Sequence, residues 1–139
     1  MHAETSVDIG ATPAKVWKTL VDVERWPTWT KSVSQAELLS SAGLAVGARV
    51  RIRQPRLPVL DWEVIGFESE SRLAWTASRP GVATTATHQL RANEQGATTV
   101  VLSIDQKGPL AGVVGLFTSG LTRRYLELEA HGLKARCEA

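Results

Sequence analysis

A chain of 139 residues that is 43% apolar and 22% charged can build one self-supporting core, which excludes a disordered protein and a mini-domain that depends on staples. Its net charge of +2 comes from 16 basic residues interspersed with 14 acidic ones, unlike the one-sided basic surface of a nucleic-acid binder. No apolar run approaches the roughly 20 residues that cross a bilayer, and MHAETSVDIG lacks the apolar stretch of a signal peptide. The expectation is therefore one soluble, cytoplasmic domain over residues 1–139, with no integral membrane association and no nucleic-acid partner.

In HAETSVDIG, Ala3, Thr5, Val7 and Ile9 alternate with polar residues, the pattern of a half-buried strand. ATPAKVWKTLVDV then opens a helix, with Thr12 as N-cap and Pro13 at its first position. Val16, Trp17 and Leu20 form its apolar stripe. Pro27 separates this helix from a short second one expected over residues 29–33.

Strand signals follow. SQAELLS is a candidate, and ARVRIRQ alternates with Val50 and Ile52 inward and arginines outward. Arg49, Arg51, Arg53 and Arg56 thus read as the solvated face of a strand. VLDWEVIGFES puts Trp62 and Val64 on one face, opposite Asp61 and Glu63, and RLAWTAS puts Trp75 with Leu73 and Ala77. VATTATHQLRA and TTVVLSIDQ, joined by NEQG, read as a hairpin, in which Asp105 faces water. Strands so closely spaced imply an antiparallel meander. From Pro109 the period becomes helical, with Leu110, Val113, Val114, Phe117, Leu121, Tyr125 and Leu128 on one stripe. Gly112, Gly115 and Gly120 predict an interrupted beginning and a firm helix over residues 119–136, since each glycine costs about 1 kcal/mol relative to Ala.

The order is α+β: a curved antiparallel sheet covered by one long helix. The inward face of VATTATHQLR carries Thr84, Ala86, His88 and Leu90. Small and polar residues there leave space for a guest rather than a solid core.

The run Ile9-x-Ala11-x-Pro13-x-x-Val16-Trp17-x-x-Leu20-x-Asp22-x-x-x-Trp26-Pro27-x-Trp29 resembles the opening of the polyketide cyclase/dehydrase group. That group belongs to the superfamily related to START lipid-transfer domains and the birch-pollen allergen fold. Trp62-x-Val64 and Arg72-Leu73-x-Trp75 are similar to its middle strands, and LTRRYLELEAHGLKA to its terminal helix. The resemblance implies a helix-grip fold: a seven-stranded sheet around a long C-terminal helix, with an apolar cavity between them and two short helices closing one end.

In such a fold Trp29 is expected at the cavity mouth, with Trp26 and Trp17 as structural anchors. Trp62, Trp75, Phe117 and Tyr125 are candidates to line the cavity. His88, the one mid-chain histidine, is a weak catalytic candidate; it can serve as acid or base, or bind a ligand oxygen. The sequence shows no carboxylate to orient it. Cys137 reads as an incidental terminal thiol, and neither metal spacing nor a phosphate loop is present, so no metal and no cofactor is expected. The expected function is binding of a small hydrophobic or aromatic molecule, lipid- or polyketide-like, by a monomer or homodimer. The alternatives are a polyketide cyclase/dehydratase using His88, and a non-catalytic interaction or co-regulatory subunit.

Overall fold

In the computed structural model, which describes residues 1–139, seven strands form one antiparallel sheet. They are β1 (His2–Ile9), β2 (Gln35–Leu38), β3 (Arg49–Arg53), β4 (Leu60–Glu68), β5 (Arg72–Arg79), β6 (Val82–Ala92) and β7 (Thr98–Lys107). Strands β2 to β7 run as a meander, and β1 closes the order beside β7. Between β1 and β2 lie helix α1 (Pro13–Val21) and a 3-10 helix, Val23–Thr28. The chain ends in helix α2 (Ala111–Glu138). This is the helix-grip arrangement.

Alternation decides which side of the sheet is buried. Val50, Ile52, Trp62, Val64, Leu73, Trp75, Ala86, Leu90, Val100 and Leu102 are buried in one continuous core. On the opposite face, register places Arg49 across from Glu63 and Arg51 across from Asp61. Arg51 donates twice to Asp61, at 2.8 and 3.1 Å, and these hydrogen bonds hold the Asp61 carboxyl below its usual range. Two of the four arginines are thus neutralised by neighbours on a wet face. Asp105 is also on the exposed side, 2.6 Å from His2 Nδ1. In the β6–β7 hairpin the Asn93 carboxamide oxygen accepts from the backbone N–H of Gln95 and Ala97, which fixes the loop.

Three expectations are corrected. The second short helix is the 3-10 helix at Val23–Thr28, not residues 29–33. Beyond it the Thr30 hydroxyl takes the Ser32 N–H and meets the Ser32 hydroxyl at 2.7 Å, local bonds that compete with helical ones. Second, α2 is continuous from Ala111, without the expected interruption. Its buried side is also turned from the apolar stripe: Ala111, Gly115, Tyr125, Leu126, Glu129, Ala130, Leu133 and Cys137 face inward. Small residues let the helix approach closely, so a Cβ on Gly115 would sit 2.9 Å from Met1 Cβ. Third, Cys137 is a buried core residue rather than an incidental terminal thiol, and burial pushes its pKa up.

The second half of α2 is the tightly held part. A Cβ on Gly132 would lie 2.0 Å from the Trp29 carbonyl oxygen, so the helix rests on that backbone. At the end, the Glu138 carboxylate accepts from Gly10 N–H and Lys134 Nζ, both at 2.7 Å, and Lys134 also donates to the Asp8 carbonyl. The Lys134 and Gly10 hydrogen bonds lower the Glu138 pKa in the folded state. Its contribution is therefore present above the ordinary carboxylate range and lost as the pH falls through the lowered value. The protection factor of the Gly10 amide should fall there, and Glu138→Gln should show the reduced protection already at neutral pH.

Glycine substitutions in one helix should change stability in opposite directions. Gly132→Ala forces the helix off Trp29 and should cost about 1–3 kcal/mol or more. Gly120 has open space around it, so Gly120→Ala should gain up to about 1 kcal/mol. Denaturant midpoints of the two variants check both signs.

Candidate functional site

The concave face of the sheet and α2 do not fill the space between them. A cavity of about 270 Å³ remains, walled by the inner ends of β4 to β7 and the middle of α2. Trp62, Ala77, Thr84 and Ile104 supply the sheet side, and Tyr125, Leu126 and Glu129 the helix side. The rim is the β3–β4 loop at Gln54, Leu57 and Pro58, with Arg79 and Pro80 from the β5–β6 turn. The volume lies just below the span usual for small-molecule sites, about 300–1,000 Å³.

Of the candidates named from sequence, Trp62 and Tyr125 line this space, and Trp29, Trp75 and His88 do not. Those three belong to a packed cluster around Trp26. The Trp26 ring lies 5.2 Å from Trp29, 5.3 Å from Trp75 and 5.6 Å from His88, and Trp75 is 5.4 Å from His88. Trp26 itself is buried, and its indole N–H donates to the Leu20 carbonyl at 2.9 Å, tying the 3-10 helix to α1. The tryptophan segment therefore backs the cavity instead of forming its mouth. The mouth is at the β3–β4 loop, where Pro55, Arg56 and Pro58 are exposed.

Phe117 is the clear displacement. It is 80% exposed, beside Leu116 at 79% and near Val113 at 56%. The turn of α2 that presents Val114 and Thr118 to the cavity sends these three outward. They form an apolar surface stripe outside the cavity.

Tyr125 has a specific task. Its hydroxyl donates to the Pro55 carbonyl, so its proton is engaged in holding the rim loop. Thr118 likewise donates its hydroxyl proton to the Val114 carbonyl at 2.8 Å. What remains for a guest to meet is mostly apolar surface, with Thr84, Gln106 (whose Oε1 has no partner), Thr122 and the Glu129 carboxylate as inner polar groups.

That carboxylate is Glu129, which sequence reasoning missed. It is buried on α2, and its Oε1 lies 2.9 Å from His88 Nε2. The other His88 nitrogen, Nδ1, lies 3.1 Å from the Leu73 carbonyl oxygen. β6 directs His88 inward by parity with Ala86 and Leu90, and α2 brings Glu129 to it one turn beyond Tyr125. The available signal was that spacing: Tyr125, Glu129 and Leu133 follow one another at four-residue steps on the buried face. A carboxylate between two buried residues needs a partner, and His88 is the inward polar group opposite. No group of three or more His, Cys, Asp or Glu side chains is placed to hold a metal. No helix is long and apolar enough to cross a membrane.

Comparison with known proteins agrees with this architecture. Residues 1–138 match the family model described as polyketide cyclase/dehydrase and lipid transport. No curated protein matches the sequence. Among solved structures, the Zhui aromatase/cyclase from Streptomyces sp. R1128 is 17% identical with a TM-score of 0.79, covering 99% of this chain and 93% of that one. A START superfamily protein from Mycobacterium smegmatis is 16% identical with a TM-score of 0.76, covering 99% and 97%. A hypothetical protein from Helicobacter pylori is 18% identical with a TM-score of 0.81, covering 98% and 86%. At these identities the likeness is one of fold.

The different placements of two candidates give a direct test by chemical denaturation. Tyr125→Phe leaves the Pro55 carbonyl without its donor and should cost about 1 kcal/mol. Phe117→Ser touches nothing buried and should stay within about 0.5 kcal/mol of the parent.

Proposed function

We propose that this chain, which belongs to the polyketide cyclase/dehydrase and lipid transport family of the START/Bet v 1-like superfamily, binds a small hydrophobic or aromatic molecule between its sheet and α2. The observation that carries this reading is the cavity itself, a space of about 270 Å³ with Trp62, Leu126 and Ile104 in its wall and a single buried carboxylate. Apolar burial supplies affinity at roughly 25 cal/mol per Å² before the costs of association. Trp62 offers a flat face for ring stacking, and Glu129 offers one oriented polar contact.

A second reading, a cyclase or dehydratase, is favoured by the Glu129–His88 contact, because an acid/base group is what those reactions require. In that reading the group touching substrate is Glu129, and His88 acts through it. The binding reading stands ahead because the Tyr125 and Thr118 hydroxyl protons are committed to backbone carbonyls. Glu129 is then the one acid/base group in the wall built by α2, where the remaining hydroxyl, that of Thr122, is too weak an acid to serve. The exposed stripe of Val113, Leu116 and Phe117 is the surface an interaction subunit would use, and it is compatible with a guest inside.

The test is a thermal-shift series with aromatic polyketides, quinones and fatty acids. A true guest at about 100 times its Kd should stabilise the fold by about 2.7 kcal/mol. Ala77→Leu, which fills the cavity from the sheet side, should remove that stabilisation while leaving the protein folded. If no compound shifts the transition, and Ala77→Leu merely raises stability, the cavity is a packing void and the reading fails.

A further inference from the structure

We infer that Glu129 and His88 form one electrically neutral unit sharing a single proton. The cavity would therefore select an uncharged molecule bearing a hydroxyl or carbonyl oxygen over an acid or an ammonium of the same size. This deepens the binding reading above and rests on it.

The proton inventory follows from what each nitrogen faces. The Leu73 carbonyl has only lone pairs to offer, so His88 Nδ1, 3.1 Å away, carries a hydrogen and donates it. His88 Nε2 faces Glu129 Oε1 at 2.9 Å. Two bare lone pairs at that distance repel, so one proton lies between these atoms. It belongs either to an imidazolium beside a carboxylate or to a carboxylic acid beside a neutral imidazole. Both arrangements sum to zero charge.

The surroundings hold the unit in that state. The side chains of His88 and Glu129 are 4% and 11% exposed. His88 is wedged edge-on between Trp26 and Trp75, which leaves it no second orientation toward water. A charge not cancelled within the pair would lie against aromatic walls, and burying one is costly. Arg79, the other charged side chain in the lining, is at the rim and exposed.

Glu129 lines the cavity, whereas His88 does not, and Oε2 of Glu129 makes no hydrogen bond within the protein. That oxygen is the unit's contact with a guest. As a carboxylate it accepts from a ligand hydroxyl; as an acid it donates to a ligand carbonyl. A ligand carboxylate or ammonium would instead place a net charge beside a unit that cannot cancel it. His88 is in these terms a positioning residue, because it sets the charge that Glu129 presents.

The experiment uses four probes on one two-ring skeleton: 2-naphthol, 2-acetylnaphthalene, 2-naphthoate and 2-naphthylmethylammonium. Binding to the full chain is measured by calorimetry at neutral pH. The two neutral probes should bind at least about tenfold tighter than the two ions. His88→Leu removes the group that cancels the Glu129 charge, and an ammonium can then take that place, so the ammonium probe should gain at least about tenfold relative to 2-naphthol. Circular dichroism confirms that the variant folds. Equal binding of all four probes by the parent, or an unchanged ranking in a folded His88→Leu, overturns the inference and leaves the binding reading standing. If His88→Leu does not fold, the parent ranking decides. If the parent binds none of the probes, and no compound shifts its thermal transition either, the binding reading falls and takes the inference with it.

Discussion

The backbone of α2 lies on the carbonyl of Trp29, and only a glycine at position 132 allows it, since a Cβ there would come within 2.0 Å of the oxygen. The depth of that contact fixes the rotation and height of the helix over the sheet. Glu129 is three residues before it and Tyr125 seven, so both are positioned by the same contact. One reaches His88 on β6, and the other reaches Pro55 on the rim loop. The cavity lies between helix and sheet on the N-terminal side of that contact, along α2 from Val114 to Glu129. The tryptophan cluster matters for the same reason: Trp26, Trp29 and Trp75 form the solid ground against which the helix is pressed.

Charge is arranged differently on the two sides of the sheet. Outside, Arg49 and Arg51 meet Glu63 and Asp61 across adjacent strands, where water screens each pair and its worth is small. Inside, one pair lies under aromatic rings, where an unmatched charge would be expensive. The outer pairs hold the strands in register with their neighbours and keep the face wet. The inner pair carries chemical meaning, because its oxygen is the cavity's single carboxylate contact.

The fold was legible because strand and helix periods are local properties. Val50 and Ile52, Trp62 and Val64, and His88 and Leu90 all face as alternation requires. The element order alone implied the sheet-and-helix architecture. The site was less legible because it depends on how α2 is rotated. Counting apolar residues put Phe117 inside, whereas close approach at Ala111 and Gly115 turned small residues inward and left Phe117 in solvent. For the same reason Glu129 was not singled out, although it sits between Tyr125 and Leu133 on the buried face. A break between two helices at Pro27 would carry Trp29 to the cavity mouth. Pro27 instead lies within the 3-10 helix, and Trp29 is folded back on Trp26.

The two ends of α2 are held very unequally. The last turns are clasped to β1 through Glu138, Lys134 and the Gly10 N–H, and rest on Trp29 at Gly132. The first turns carry two glycines with empty surroundings and hold their largest side chains, Leu116 and Phe117, out in solvent. Local opening free energy therefore rises along the helix from front to back. The front turns are buried only at Ala111 and at Gly115, beside Met1, so they lose less buried contact on fraying than the turns around Glu129 do. Glu129 thus sits on the firmly held part of α2, whereas Val114 and Thr118, which also line the cavity, sit on the loosely held part.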